Sequence, residues 1–396
     1  LVLEAPHLFR AARPETRDED LCSDGSTLGW SWIEETDFNA TVRFAITDST
    51  GEFELDPVNL TAPSEAAYAT AVAYSATHDV YMVGWVGPDQ QSKGWSLFAN
   101  ILDAQGTILQ ELNLGAAQPY TPVDIVDAGD FFGVFFMRTV DEDAALSYVP
   151  YNLVLDRAEP VATLTTERGL WDASVAYNPA GDLYLTWTGY GEPWTMTIGP
   201  DRGNIRAPLL ARPLPAPYND GNAEWFTVHH LNGANYLVFA HGPNWDAKNL
   251  VAVPFDRFLV YTTPVRTLAT DVYPSGRLGL MQDGTQPVLL YPSRVPEQHY
   301  KMRRFDAAWA LQTASDTSLT SLSSSSVSPL QPLFNIDALL YQTFDHPSSG
   351  FFFRQLGIHP NGTLPVDAQV VNPPAWNPAV KDIVGYRYRP AVDAFD

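Results

Sequence analysis

The sequence predicts an all-β chain: a seven-bladed β-propeller of four-stranded antiparallel blades, one domain over residues 1–396. Three observations predict it. Short apolar runs ending in an aromatic recur at a nearly constant spacing, turn sequences run in step with them, and helical 3.6-residue periodicity is nearly absent from a chain with 32 prolines.

The aromatic runs end at Trp32, Trp85, Phe136, Trp187, Phe239, Tyr291 and Tyr341, separated by 53, 51, 51, 52, 52 and 50 positions. A turn follows each run after one further strand-like segment: Asp48-Ser-Thr-Gly51, Asp103-Ala-Gln-Gly106, Asp156-Arg157, Asp201-Arg-Gly203, Asp256-Arg257, Asp306-Ala307 and Pro360-Asn-Gly362. Another turn precedes most runs, as in Asp24-Gly25, Asn232-Gly233 and Asp283-Gly284. Asn-Gly and Asp-Gly suit tight hairpins because the primed turns need positive φ at both central residues. The segments between turns are short and rich in Val, Tyr, Phe, Trp and Leu, as strands are.

Each unit therefore reads strand A, tight turn, strand B, longer loop, strand C, tight turn, strand D, long connection. The blades fall near 18–57, 66–113, 118–163, 170–212, 222–265, 274–315 and 328–371. Terminal segments 1–17 and 372–396 hold strand-like pieces expected to help close the ring, since an open ring leaves an unpaired edge. Residues 313–332, with four consecutive serines at 323–326, read as a flexible connection.

The fourth unit, with Val175-Ala-Tyr-Asn-Pro-Ala-Gly-Asp-Leu-Tyr-Leu-Thr-Trp187, resembles bacterial secreted β-propeller repeat proteins, and the resemblance extends over blades two to seven. It implies architecture and carries no activity. The chain departs from better-defined propeller families. It has no Gly-Gly pair as a kelch blade has, and Trp171-Asp172 and Trp245-Asp246 lie away from the strand C end where a WD40 repeat places them. Ser23-Asp24-Gly25 lacks the spaced Trp of a sialidase Asp-box.

Composition narrows the partners. Asp plus Glu number 46 against 23 Lys plus Arg, a net charge of −23, which argues against nucleic acid or an anionic membrane surface. No apolar run approaches the ~20 residues of a membrane helix, so no membrane insertion is expected. The single cysteine, Cys22, excludes an intramolecular disulfide. A chain opening on Leu1 reads as processed, with an export signal removed, and the expected location is secreted, cell-surface or periplasmic.

Loop asymmetry points to one face. A–B and C–D connections are tight, B–C and D–A are long, and in an antiparallel four-stranded blade the two long classes emerge at one end, where function concentrates on a rigid scaffold. The short-turn face is assigned closure alone. Just before strand A lie Tyr68, Tyr120, Trp171, Trp225 and Tyr273, several beside a carboxylate such as Asp172 or Glu224. An aromatic beside a carboxylate stacks on a sugar face while binding its hydroxyls; alternatively these rings fill the wedge between blades. Tyr190, Trp194 and Trp245 on the B–C side complete the candidate ligand-binding set. The B-strand aromatics read as core.

For catalysis the candidates are His241, Arg294, His299, Tyr300 and His346, in which a His or Tyr base works with an Arg that neutralises a substrate carboxylate. No Gly-x-Ser-x-Gly elbow or His-Glu-x-x-His motif occurs. No cofactor is expected. Calcium is the metal to consider, with Asp141 and Asp143 as its oxygen ligands. Two functions follow: an exported binding or adhesion propeller, lectin-like and taking a carbohydrate or other extracellular ligand, or a propeller enzyme of polysaccharide lyase, hydrolase or small-molecule type. A protein partner is a third outcome.

Overall fold

A computed structural model describes residues 15–24, 26–35, 40–47, 53–61, 67–119, 123–141, 143–165, 170–178, 180–189, 192–199, 209–210, 214–220, 222–244, 247–272, 279–283, 286–293, 299–312, 317–319, 331–333, 338–344, 351–357, 388–389 and 394–395. These residues form an all-β chain of antiparallel sheets.

The first sheet runs β1 (Glu15–Ser23), β2 (Leu28–Glu35), β3 (Ala40–Thr47), β4 (Phe53–Asn59), and the second β5 (Tyr68–Ser75), β6 (Val80–Asp89), β7 (Gly94–Asp103), β8 (Ile108–Ala116), each in sequence order. The third holds β9 (Val123–Asp127), β10 (Phe131–Val140) and β11 (Asp143–Asn152), with β12 (Arg157–Ala158) and β13 (Ala162–Thr165) both pairing β11. The fourth holds β14 (Leu170–Tyr177), β15 (Leu183–Gly189), β16 (Glu192–Ile198) and β17 (Leu209–Leu210).

Next come β18 (Ala223–Leu231), β19 (Ala234–Asn244), β20 (Ala247–Phe255) and β21 (Arg266–Val272), then β22 (Gly279–Asp283), β23 (Gln286–Ser293), β24 (His299–Arg304) and β25 (Thr317–Leu319). One pair, Val272 with Ser293, joins these two groups into a single eight-stranded sheet. β25 lies inside the stretch expected to be a flexible connection and pairs with β24 instead. A three-stranded sheet of β26 (Gln331–Leu333), β27 (Ala338–Phe344) and β28 (Phe351–Gly357) follows, then a two-stranded pairing of β29 (Tyr388–Arg389) with β30 (Ala394–Phe395).

The leading strands lie side by side: β1 against β5, β5 against β9, β9 against β14, β14 against β18, β18 against β22, β22 against β26, and β26 back against β1. Apolar side chains fill the seams between consecutive sheets. Phe44 and Ile46 pack with Tyr81 and Trp85, Val86 and Ile101 with Phe132 and Phe136, and Phe135 and Tyr148 with Leu185 and Trp187. Further round, Tyr184 packs with Leu237 and Phe239, and Leu250 and Val238 with Leu289 and Tyr291. A sheet covered on both faces needs apolar residues at successive positions rather than alternate ones. β6 shows this, with Tyr81 to Gly87 all buried, whereas in the outer strand β8 exposed residues alternate with half-buried or buried ones from Leu109 to Leu114. The B-strand aromatics Trp85, Phe136, Trp187, Phe239 and Tyr291 are buried in these seams, as expected, and Trp32 is buried on the other face of the first sheet; the side chain of Tyr341 lies outside the described residues.

The outer hairpins share one device. Asp103, Asp256 and Asp306 each accept through Oδ1 the N–H groups two and four residues on, at 2.8–2.9 Å. The residue three on, Gly106, Leu259 or Trp309, is left-handed and donates its N–H to the Asp carbonyl. This carboxylate cap explains why an Asp opens these turns.

Candidate functional site

The long-loop end of the inner strands is built around β-bulges. In β1 the register jumps between Arg17 and Asp20, in β14 between Trp171 and Ser174, and in β18 between Glu224 and Thr227. Each jump sets two residues against one: Asp18 and Glu19 against Trp32, Asp172 and Ala173 against Trp187, Trp225 and Phe226 against Phe239. β5 has its irregularity at the same place, between Tyr68 and Thr70 beside Trp85, with Ala69 at φ 46°. The bulge thus recurs where strand B carries its large aromatic. A bulge re-aims side chains and is common beside binding sites. Tyr68, Trp171, Asp172, Glu224 and Trp225 all lie in or beside these irregularities. The side chains of Trp171, Asp172 and Trp225, and the whole of Tyr120 and Tyr273, fall outside the described residues. Among the described residues the buried indole N–H groups of Trp32 and Trp187 have no acceptor.

On the second sheet Tyr68 meets Trp95, with ring centroids 5.0 Å apart and planes at 54°. Both rings are half-buried and pack on the seam below. The Asp89 carboxylate lies one step further along the same hairpin, opposite Gly94, and accepts Ser96 Oγ at 3.1 Å and the N–H of Gln91 at 2.9 Å. Those hydrogen bonds hold its pKa below the usual carboxylate range.

The fifth group of strands carries two polar pairs. His241, near the end of β19, holds its Nε2 2.9 Å from Asp220 Oδ1, and Tyr218 sets its ring edge-on to the imidazole at 5.0 Å and 84°. Asn222 donates to Asp220 from both its side chain and its backbone, and with His241 these bonds bring Asp220 down to about 2. Among the described residues His241 Nδ1 has no hydrogen-bond partner. Register places Lys248, Leu250, Ala240 and Glu224 on one sheet face, and His241, Phe239 and Asn249 on the other. On that first face the Lys248 ammonium lies 2.8 Å from Glu224 Oε1. Sequence reasoning missed Tyr218, Asp220 and Lys248; the Asp220-Gly-Asn222 turn just ahead of a strand is the one signal available for them.

Few of the remaining candidates have described side chains. Trp194 sits within β16 opposite Trp187 and packs on the core cluster beneath it. His299 and Tyr300 open β24 rather than lying in a loop; their side chains, and all of Arg294, His346, Tyr190 and Trp245, fall outside the described residues. Asp141 is exposed at the β10–β11 turn with φ 49°, and Asp143 begins β11. Among the described residues no three His, Cys, Asp or Glu side chains converge as a metal site requires, and no helix is long and apolar enough to cross a membrane. At the short-turn end Ile108, Leu109, Val154, Leu155, Phe258, Val260 and Leu311 are exposed, all in or just after the outer hairpins.

Solved structures similar to this chain include prolyl oligopeptidase B from Galerina marginata bound to a 25mer macrocyclization substrate, with TM-score 0.52, 10% identity, and coverage of 88% of this chain and 50% of that one. They also include the hydrazine synthase of Kuenenia stuttgartiensis (0.50, 13%, 89% and 98%) and the β-propeller domain of the Trilobed protease from Pyrococcus furiosus (0.49, 9%, 76% and 83%). The neighbours are β-propeller proteins. At these identities the likeness is one of fold alone. The chain spans about half the length of prolyl oligopeptidase B. No family model matches the sequence, and no curated protein matches it.

Proposed function

We propose that the chain is a seven-bladed β-propeller of four-stranded blades that binds a carbohydrate, lectin-like, on its long-loop face. The blade number is supported by the run of leading strands from β1 through β26 and back to β1. The ligand class rests on one observation: the half-buried Tyr68–Trp95 pair, at the end of the sheet where the inner-strand bulges recur, with the Asp89 carboxylate on the opposite face of the same hairpin. Two adjoining aromatic rings cover the apolar face of a sugar ring. The reading keeps the exported or cell-surface setting, where free glycans are met, and calcium as an ion to test at Asp141 and Asp143.

The test is a titration of the protein's tryptophan fluorescence with a panel of neutral and acidic glycans, with and without calcium. Binding that is lost in Tyr68→Ala and Trp95→Ala supports the reading; a panel without response overturns it.

A second reading, an enzyme, is favoured by the His241–Asp220 pair. A carboxylate held on one imidazole nitrogen orients the ring and leaves Nδ1 as the proton acceptor. Glycans that bind are therefore also assayed for cleavage. Product that disappears in His241→Gln and Asp220→Asn, with binding retained, moves the protein to this class.

A further inference from the structure

We propose that Glu224 is the acceptor a sugar hydroxyl meets at the mouth of the inner strands, and that Lys248 is the positioning residue that holds it there; the inference rests on the carbohydrate reading above. The Lys248 side chain is 3% exposed and that of Glu224 38%. Lys248, the second residue of β20, pairs with the buried Val272, in the seam that Val272 and Ser293 close. Taking an ammonium out of water is costly without a counter-charge, and Glu224 is the only partner of Nζ among the described residues. The contact engages one carboxylate oxygen, Oε1, and the Glu224 side chain keeps 38% of its surface exposed. Glu224 is also the last regularly paired residue before the bulge that holds Trp225, so an aromatic follows it directly in the chain.

The pairing selects the ligand. A lone carboxylate at a channel mouth attracts cations, but one neutralised from behind by a buried ammonium carries little net charge. It is suited to a neutral hydrogen-bond donor such as a hydroxyl. Binding through Glu224 is accordingly independent of calcium.

The experiment titrates the intact chain with the pentasaccharides of β-1,4-glucose, β-1,4-xylose, β-1,4-N-acetylglucosamine and β-1,3-glucose, with and without calcium. Unmodified protein is compared with Glu224→Gln, Lys248→Arg and the double variant Glu224→Gln/Lys248→Met, with urea unfolding of each. The double variant removes both charges at nearly constant shape, so no buried charge is left unpaired. We expect it to unfold like the unmodified chain yet bind about tenfold or more weakly, while Lys248→Arg retains most of the affinity. A purely structural ion pair predicts that the double variant recovers binding along with stability, and that result overturns the proposal. Binding that needs calcium overturns it as well. If the unmodified chain binds none of the four sugars, the carbohydrate reading falls and takes this inference with it. If Tyr68→Ala and Trp95→Ala abolish binding that the double variant leaves intact, this inference falls alone.

Discussion

The carboxylate of Asp20, in the inner strand β1, crosses to the next sheet and accepts the backbone N–H of Val72 in β5 at 2.9 Å. Ser174 repeats the arrangement from β14, its Oγ accepting the N–H of Val228 in β18 at 3.2 Å. The partners are separated by 52 and 54 residues, one repeat, so the same inner position serves as a latch between sheets. Removing a charged acceptor from a buried amide costs about 1–3 kcal/mol, and a hydroxyl acceptor about 0.5–1.5. Urea unfolding of Asp20→Ala and Ser174→Ala should show losses in that order.

Burial pushes the imidazole of His229 down to about 4 from its ordinary 6.5. A depressed folded value means that the unfolded chain takes up the proton first. The stabilisation is therefore complete above about 6.5 and is lost as pH falls towards about 4. Unfolding midpoints measured at pH 7 and pH 4.5 should converge in His229→Gln relative to the unmodified chain. An unchanged difference between the two midpoints would refute the assignment.

Trp187 is fully buried in the seam between the third and fourth sheets, whereas Phe258 is 58% exposed on an outer hairpin. Trp187→Ala is expected to cost about 3–5 kcal/mol, and Phe258→Ser to stay within about 0.5 kcal/mol in chemical unfolding.

Gly106 and Gly233 both hold left-handed φ, at 73° and 74°, but their surroundings differ. A Cβ at Gly106 would overlap the Leu55 side chain, while nothing lies within 4 Å at Gly233. Gly233→Ala therefore bears only the backbone cost of about 1–2 kcal/mol, and Gly106→Ala should lose measurably more stability in the same assay.

What the sequence makes legible is what repetition enforces. Sheets packed on both faces demand a large side chain at the same place in every repeat, so Trp32 through Tyr291 stand out by spacing alone. The carboxylate-capped outer turns stand out too, because an Asp opens them. The bulges do not, since one extra residue leaves no mark on composition. Ion pairs leave no mark either: Glu34 is buried in β2 with its Oε2 2.7 Å from Arg43 Nε. Arg303 donates to the Leu268 carbonyl at 2.9 Å and covers the Tyr291 ring, contacts that its place in a strand does not announce. Lys248 and Asp220 stay hidden for a related reason: their partners lie 24 and 21 residues away, and local pattern says nothing about which charges a fold brings together.

The inner-strand irregularities have a consequence for how such a molecule can change. An added residue shifts the in–out alternation by one step, so the two halves of the strand are out of phase with each other. Below the slip, side-chain identity answers to the neighbouring sheets. Above it, the same strand presents a separate set of positions whose replacement does not propagate downward. A chain with this joint can exchange its mouth residues while the packing that folds it stays as it is.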